Sequence, residues 1–496
     1  MTATLDQDQL DPEVSQALDP KRFRALAVIA VAQLMVVLDA SVVIIALPAA
    51  QRSLHISVAN RQWMLTAYTL SFAGLLLLGG RIADYLGRKR MFIVALIGFA
   101  ASSALGGLAQ NSAMLFGARA LQGAFAAIMA PAALSLLTVA FTEPKERARA
   151  FGVYGGIAGG GAAIGLILGG ALTQYASWRW TLLINVPIAI AAAFAAWRVT
   201  TESRSPVRHG YDIPGAVTVT GGLLTLVYAF TKAGSDGWGS STTLSFFGAA
   251  LVFLTAFVLI ERRATHPLLP LHIVLERNRG GSFLASLLVG IALLGTFLSL
   301  TFYFQGTLHY SAMKSGFAFV PFSIGIIGGA TLASRLLPRF GPRVVVTTGL
   351  TLGAIGLAIF SFISVHSSYI SHVFPAELIV SLGMGLSFVV LSSTALVGVE
   401  QEDAGVASAL VNATQQTGGS LGAALINTIA ATATASYLVT HGKSATAQAA
   451  GAVHGYTTAF TFSAIVLAVA AVIGFTLIRA SKHAGAEDPV LLPVPA

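Results

Sequence analysis

The 496-residue sequence has no cysteine, which excludes disulfides, thiolate metal sites and cysteine nucleophiles. Charge is scarce too: Asp, Glu, Lys and Arg make up 10% of the chain, against roughly 25% in an ordinary soluble domain. No complete Walker motif, Gly-x-x-x-x-Gly-Lys-Ser/Thr, occurs, since Gly442-Lys443-Ser444 has Tyr437 where the first glycine would stand, so neither a phosphate cradle nor ATP is expected. The stretches between apolar runs are short, none beyond about 30 residues, and carry no metal cluster or nucleophile–base constellation. Neither an enzyme nor a bound cofactor is expected.

What the sequence does have is apolar length: 55% of its residues are hydrophobic. Runs of about 20 apolar residues, enough to cross about 30 Å of hydrocarbon as helix, occupy approximately 25–48, 62–80, 91–109, 113–140, 149–173, 180–197, 213–231, 243–260, 282–304, 315–334, 344–365, 374–398, 408–432 and 457–478. They are rich in Leu, Ala, Gly and Val without two-residue alternation, which predicts helices and not barrel strands. The expected fold is an all-α integral membrane protein with fourteen transmembrane helices in a lipid bilayer. The first run follows Lys21-Arg22-Phe23-Arg24; it is longer than a signal-peptide core and is followed at once by another span, so it is expected to stay as an anchor.

The formal charge of +9 raises the question of nucleic acid. With the N-terminus placed in the cytoplasm, roughly 22 Lys and Arg fall in inside segments and about 6 outside, with Arg119 within a span. The excess is therefore topological, no basic face interleaved with aromatics appears, and no nucleic-acid partner is expected. Both termini are predicted cytoplasmic, in the cytoplasmic membrane. The acidic, apolar-poor start, with Asp6, Asp8, Asp11, Glu13 and Asp19, is expected to be disordered.

The loop Gly80-Arg81-Ile82-Ala83-Asp84-Tyr85-Leu86-Gly87-Arg88-Lys89-Arg90 after the second run aligns with Ser334 to Arg343 after the tenth when Gly87 is set on Gly341. This weak repeat predicts two six-helix bundles with the seventh and eighth helices inserted between them, as in secondary transporters. The expected division is a tail at 1–22, an N-terminal bundle at 23–199, linkers with two inserted helices at 200–279, a C-terminal bundle at 280–480 and a tail at 481–496. The longest outside loop is expected from Ala433 to Gly455.

Asp39 interrupts the first apolar run. A mid-membrane carboxylate costs about 2.5–3.5 kcal/mol on insertion scales, and a carboxyl group taken out of water holds its proton more readily. Asp39 is thus the candidate proton site, its alternative being to hold a bent first helix by hydrogen bonds. Arg119 does not deprotonate and must face the bundle interior; it is the candidate partner that biases Asp39, or else a tie between helices. Gly161, Gly165, Gly169 and Gly170 make a smooth face for close helix packing. Gln33, Tyr68, Gln122, Asn185, Gln305 and Gln415 lie in or beside spans and are candidates to line a substrate pathway or to bond between helices. Glu377 is the other mid-span acid, suited either to attracting a cationic substrate or to snorkelling at the interface.

These features together resemble the major facilitator superfamily, specifically its fourteen-helix drug:proton antiporter branch, over nearly the whole chain. The superfamily loop G-x-L-A-D-x-x-G-R-[KR]-[KR] is met at Gly80, Asp84, Gly87, Arg88, Lys89 and Arg90, with Ile82 in the leucine position. Arg119-x-x-Gln122-Gly123 resembles the fourth-helix motif, with Phe125 where glycine is usual. Gly161-x-x-x-Gly165-Leu166-x-x-Gly169-Gly170 resembles the antiporter motif, with Leu166 for proline. The first span is similar to L-D-x-T-x-V-N-x-A-L-P, with Ser41 for threonine and Ile44 for asparagine; Trp178-Arg179-Trp180, Asp212-Ile213-Pro214-Gly215 and Gln415-Gln416-Thr417-Gly418 continue the likeness. The resemblance implies the major facilitator fold, alternating access, and proton-driven export of drug-like or antibiotic small molecules. It also implies an inner gate at Asp84 with Arg88, Lys89 and Arg90. The rivals are a proton-linked uptake permease of the same fold and a non-coupled membrane sensor or channel.

Overall fold

The computed structural model describes residues 22–141, 143–204, 212–265, 267–399 and 404–479; of the expected tails, 1–22 and 481–496, all but Arg22 lie outside the described residues. Twelve segments among these residues are helical, long and apolar enough to cross a bilayer. One of them, Ala312–Phe360, is turned at Gly341, whose φ of 75° and ψ of 166° are not helical. Divided there, and joined by the helix Pro144–Tyr175 with its shorter apolar stretch Gly161–Tyr175, they match the fourteen predicted runs one for one. Gly87, the residue aligned with Gly341, also has a positive φ, 110°. The repeat read from the sequence is thus a repeat of backbone conformation, a reversal that only glycine makes without strain.

The N-terminal half comprises α1 (Arg22–Ser53), α2 (Trp63–Leu86), α3 (Arg88–Gly107), α4 (Ser112–Ala140), α5 (Pro144–Tyr175), the short α6 (Trp180–Leu183) and α7 (Asn185–Val199). Within it α1 packs on α5, α2 on α4, and α3 on α4 and α7. The inserted pair is α8 (Ile213–Asp236) and α9 (Ser241–Arg263), followed by α10 (Leu271–Leu275) in the linker. The C-terminal half holds α11 (Arg277–Phe302), α12 (Ala312–Ala318), α13 (Val320–Phe360), α14 (Phe374–Leu396), α15 (Ala404–His441) and α16 (Ala445–Leu477). There α13 packs on α14 and α16, and α11 on α15 and α16, while α8 lies against both α2 and α15. Caps set the helix starts: Asn111 accepts the amide of Met114 at 2.9 Å, Asp212 that of Gly215 at 2.8 Å and Ser240 that of Thr243 at 3.1 Å, each satisfying a donor the helix leaves open.

The outer faces are apolar. Leu244, Leu251, Val252 and Leu259 of α9 are 50–69% exposed, which suits hydrocarbon and not water. This is a multi-pass membrane protein. One boundary differs from expectation: the loop predicted from Ala433 to Gly455 is mostly helix, since α15 runs to His441 and α16 begins at Ala445. The Ala-rich sequence favours helix although it lacks hydropathy. Gly442, at φ 80°, and the Ser444 cap on Ala447 make the remaining turn, and Tyr437 stacks on His441 at 3.9 Å.

The two halves meet through named bonds. Arg61 Nε donates to Asn427 Oδ1 at 2.8 Å, Asn427 Nδ2 donates to the Val58 carbonyl at 3.0 Å and to Gln62 Oε1 at 3.2 Å, and Gln305 Nε2 donates to the Ile45 carbonyl at 2.9 Å. Gln62 Nε2 continues to Thr231 of α8 at 3.1 Å, and the Arg61 guanidinium lies 3.8 Å from the Phe302 ring centre. A Cβ on Gly170 would meet the Ala312 carbonyl oxygen at 2.7 Å, so α5 and α12 touch backbone to backbone. These contacts close the end of the molecule that carries Arg61. Thr69 and Ser420, with hydroxyls 2.6 Å apart, join α2 to α15 deeper in.

Candidate functional site

Asp39, on α1, is fully buried. An ionised carboxylate removed from water needs donors on both oxygens, and the fold brings them from two other helices, α4 and α7. Arg119 Nη1 donates to Asp39 Oδ2 at 2.6 Å; Gln122 Nε2 and Asn185 Nδ2 donate to Oδ1 at 2.7 and 2.8 Å. Arg119 and Gln122 stand three residues apart on α4, which sets them on one helix face. Arg119 Nε also donates to the Met64 carbonyl at 3.0 Å, and its guanidinium lies 4.5 Å from the Tyr68 ring centre. Gln122 Nε2 sits 2.7 Å from Ser103 Oγ of α3. The result is a dry ion pair at the centre of α1, α2, α3, α4 and α7, with Arg119 and Gln122 each 1% exposed. Two buried atoms beside it have no hydrogen-bond partner, the Tyr68 hydroxyl and Asn185 Oδ1.

Small residues of α5 bring α1 close around this acid. A Cβ on Gly161 would lie 3.0 Å from Val37, one on Gly165 would overlap the Ser41 hydroxyl and lie 3.3 Å from Leu38 Cα, and one on Gly169 would lie 2.7 Å from Val42 Cα. Gly161, Gly165 and Gly169 thus hold the turns of α1 on either side of Asp39 against α5, while Gly170 faces α12. Helix α5 continues unbroken through Leu166.

The loop at the other end of α2 is bound to its own half and to the linkers that flank the inserted pair. Asp84 Oδ1 accepts from Arg88 Nε at 2.7 Å. Glu202 accepts the backbone amides of Lys89 and Arg90, each at 3.1 Å, and Lys89 Nζ donates to the Trp197 carbonyl at 2.8 Å. Gly87 is wedged against Glu202, whose carboxylate would stand 2.7 Å from a Cβ there, and a Cβ on Gly80 would lie 3.4 Å from Pro131 Cβ. Among the described residues, Asp84, Arg88, Lys89 and Arg90 make no ion pair across the halves of the kind a closed inner gate implies. Arg81 instead donates to the Pro267 carbonyl in the linker after α9.

The sequence candidates therefore separate into groups. Asp39, Arg119, Gln122, Asn185 and Tyr68 are brought together. Gln305 serves the junction of the halves through the Ile45 carbonyl. Gln33 and Gln415 are half-buried on α1 and α15 and make no hydrogen bond to the Asp39 cluster. Glu377 is fully buried on α14, which removes snorkelling as its role. Its Oε2 lies 3.2 Å from the Tyr369 hydroxyl, its Oε1 has no partner, and that hydroxyl is also 2.8 Å from the Ala318 carbonyl. Sequence reasoning missed Ser103 and the Met64 carbonyl, because a lone serine and a backbone oxygen carry no signal. It also left Arg61 unplaced, although a charge so near the start of a span was visible.

The profile of the Major Facilitator Superfamily matches residues 29–423. The chain is 46% identical over 484 residues to the puromycin resistance protein pur8 of Streptomyces alboniger, covering 97% of this chain and 96% of that one. It is 38% identical over 414 residues to the cephamycin export protein CmcT of Amycolatopsis lactamdurans, covering 83% and 85%. Its fold is similar to a bacterial homologue of the human lysosomal transporter Spinster in an inward-facing, unoccupied conformation, with a TM-score of 0.67 at 16% identity, covering 92% of this chain and 97% of the other. The protein, with its fourteen apolar passes and its buried acid between them, belongs to the Major Facilitator Superfamily of transporters.

Proposed function

We propose that this protein exports small drug-like or antibiotic molecules across the cytoplasmic membrane in exchange for protons, by alternating access. The observation that carries the reading is the fully buried Asp39, held by Arg119, Gln122 and Asn185 on the segment of α1 that rests on the glycines of α5. The names of the puromycin and cephamycin relatives supply the substrate class and the outward direction.

The geometry suggests a cycle. In this state Arg119 Nη1 pairs with Asp39 Oδ2 at 2.6 Å. A proton arriving at Oδ1 cancels that attraction and frees Arg119 to remain with the Met64 carbonyl and Gln122 Oε1, which it already touches. Asn185 then turns its amide, so that its unpartnered Oδ1 accepts from the new carboxylic hydroxyl. With the ion pair to α4 gone and only a neutral hydrogen bond left to α7, α1 slides on the smooth face of α5. If the Gly87 end is cytoplasmic, as the distribution of basic residues predicts, the end closed by Arg61 and Asn427 faces outside. No cofactor takes part; each proton moving inward across 100 mV supplies about 2.3 kcal/mol.

The test is puromycin flux in proteoliposomes under an imposed pH step. The wild-type protein moves puromycin against its gradient only while the pH step lasts, and Asp39→Asn, present at normal levels, does not. Flux indifferent to the pH step would support a channel or a differently driven carrier.

A further inference from the structure

The inserted helices carry a second acidic feature that the transport cycle above does not use. Asp212 caps α8 through Oδ1, which accepts the Gly215 amide at 2.8 Å. Glu261, near the end of α9, accepts the Leu269 amide through Oε2 at 3.0 Å. The remaining oxygens, Asp212 Oδ2 and Glu261 Oε1, meet no donor; they point at the same spot, for a Cβ on Gly215 would stand 2.5 Å from the first and 2.8 Å from the second. The two residues are 6% and 4% exposed, so these two oxygens converge in a dry site with no donor between them. Two buried carboxyl groups that converge in this way call for a proton between them, since buried like charges at short range do not both ionise.

The surroundings define what that proton does. The charged group facing the pair from α2 is Arg81, which interacts electrostatically with both acids and donates to the Pro267 carbonyl, two residues before the Leu269 amide that Glu261 holds. Arg262 and Arg263, next along α9, are exposed. Asp212, Glu261, Arg81 and the linker at 267–269 therefore form one junction between the inserted helices and the Gly80–Arg90 loop.

We propose that Asp212 and Glu261 form a proton-binding site that shares a single proton between Asp212 Oδ2 and Glu261 Oε1, and that this proton fastens the inserted helix pair and its linker to Arg81 of the gate loop. With the proton in place the pair carries one negative charge, matched by Arg81. When the proton leaves to water, two carboxylates face each other across Gly215, the N-terminus of α8 and the end of α9 repel, and the linker loosens from Arg81. Acidity on that face of the membrane tightens the junction and alkalinity releases it. The inference does not depend on the substrate or on coupling at Asp39.

Infrared titration of the full-length protein in lipid nanodiscs reads the proton directly, through the C=O stretch of protonated carboxyl groups. Asp212→Asn, Glu261→Gln and the double variant should each lose the same single carboxyl's worth of that band. Loss of two in the double variant, or no loss in any, overturns the shared site. Should a variant fail to reach the membrane, the chain carrying only Leu86→Cys and Leu275→Cys, both exposed, serves with nitroxide labels, made simple by the absence of native cysteine. The distance between the labels should grow from about pH 5 to about pH 9. A distance unchanged over that range overturns the proposal.

Discussion

Asp39 and Arg119 stabilise each other only as a pair. Removing one partner of a buried ion pair leaves the other charged and dry, at a cost of about 3–5 kcal/mol. Arg119→Ala should therefore lower the thermal midpoint sharply, and Asp39→Asn combined with Arg119→Gln should recover much of the loss, because both charges then leave together; thermal unfolding in detergent checks both. Arg119→Lys keeps the charge but cannot bond Asp39 and the Met64 carbonyl with one planar group, so it should retain folding better than Arg119→Ala while shifting the pH profile of transport. At this scale the sequence was most informative where a residue violated its surroundings. An acid and an arginine in apolar runs stood out, and Gln122 and Asn185 were visible as polar groups within spans. The sequence could not say that these four meet, since 146 residues separate Asp39 from Asn185 and only the packing of α1 on α7 closes that distance. The meeting of Asp212 and Glu261 was hidden for the opposite reason: Asp212 stood in a motif, but beside polar linkers a carboxylate such as Glu261 looks ordinary.

Helices, taken as units, are held by a few close approaches. Gly165→Ala puts a methyl where the Ser41 hydroxyl lies; such overpacking costs about 1–3 kcal/mol and should also slow transport, since α1 can no longer move over α5. Gly117, around which a Cβ meets nothing within 4 Å, is the control: Gly117→Ala should leave flux unchanged. Glu276 caps α11 through the amides of Asn278 and Arg279, at 3.0 and 2.8 Å. Burial pushes its carboxyl up, but the amides of Arg279 and Asn278 and then the Arg279 charge outweigh that and hold it below the ordinary glutamate value. A lowered folded-state value means that its stabilisation is present above the unfolded value of about 4.3 and is lost as pH falls through the lowered one. The gap in thermal midpoint between wild type and Glu276→Ala should be open near neutrality and close in acid. Element types and number were legible from hydropathy alone. The helical turns at 433–441 and 445–455 were not, because alanine favours helix without being apolar enough to mark a span.

For the whole molecule, the bonds that join the halves are gathered at the Arg61 end. Arg61→Ala removes a donor from Asn427 and a cation from Phe302; one lost buried hydrogen bond of this kind is worth about 1–3 kcal/mol. That is enough to shift a two-state balance between closed and open at this end, and spin labels across the junction of α2 and α15 should report more of the open form. Helix α8 shares in this closure through Thr231 and Gln62. The sequence predicted that two helices were inserted but not that they bridge the halves, since nothing in an apolar run names its neighbour.

The central claim, that Asp39 gives up and regains the coupled proton, is tested most directly by proton release on substrate binding. Puromycin added to purified protein in weakly buffered detergent solution should acidify the medium for the wild type and leave it unchanged for Asp39→Asn that still binds. Equal release from both proteins, or none from the wild type with binding intact, would contradict the account.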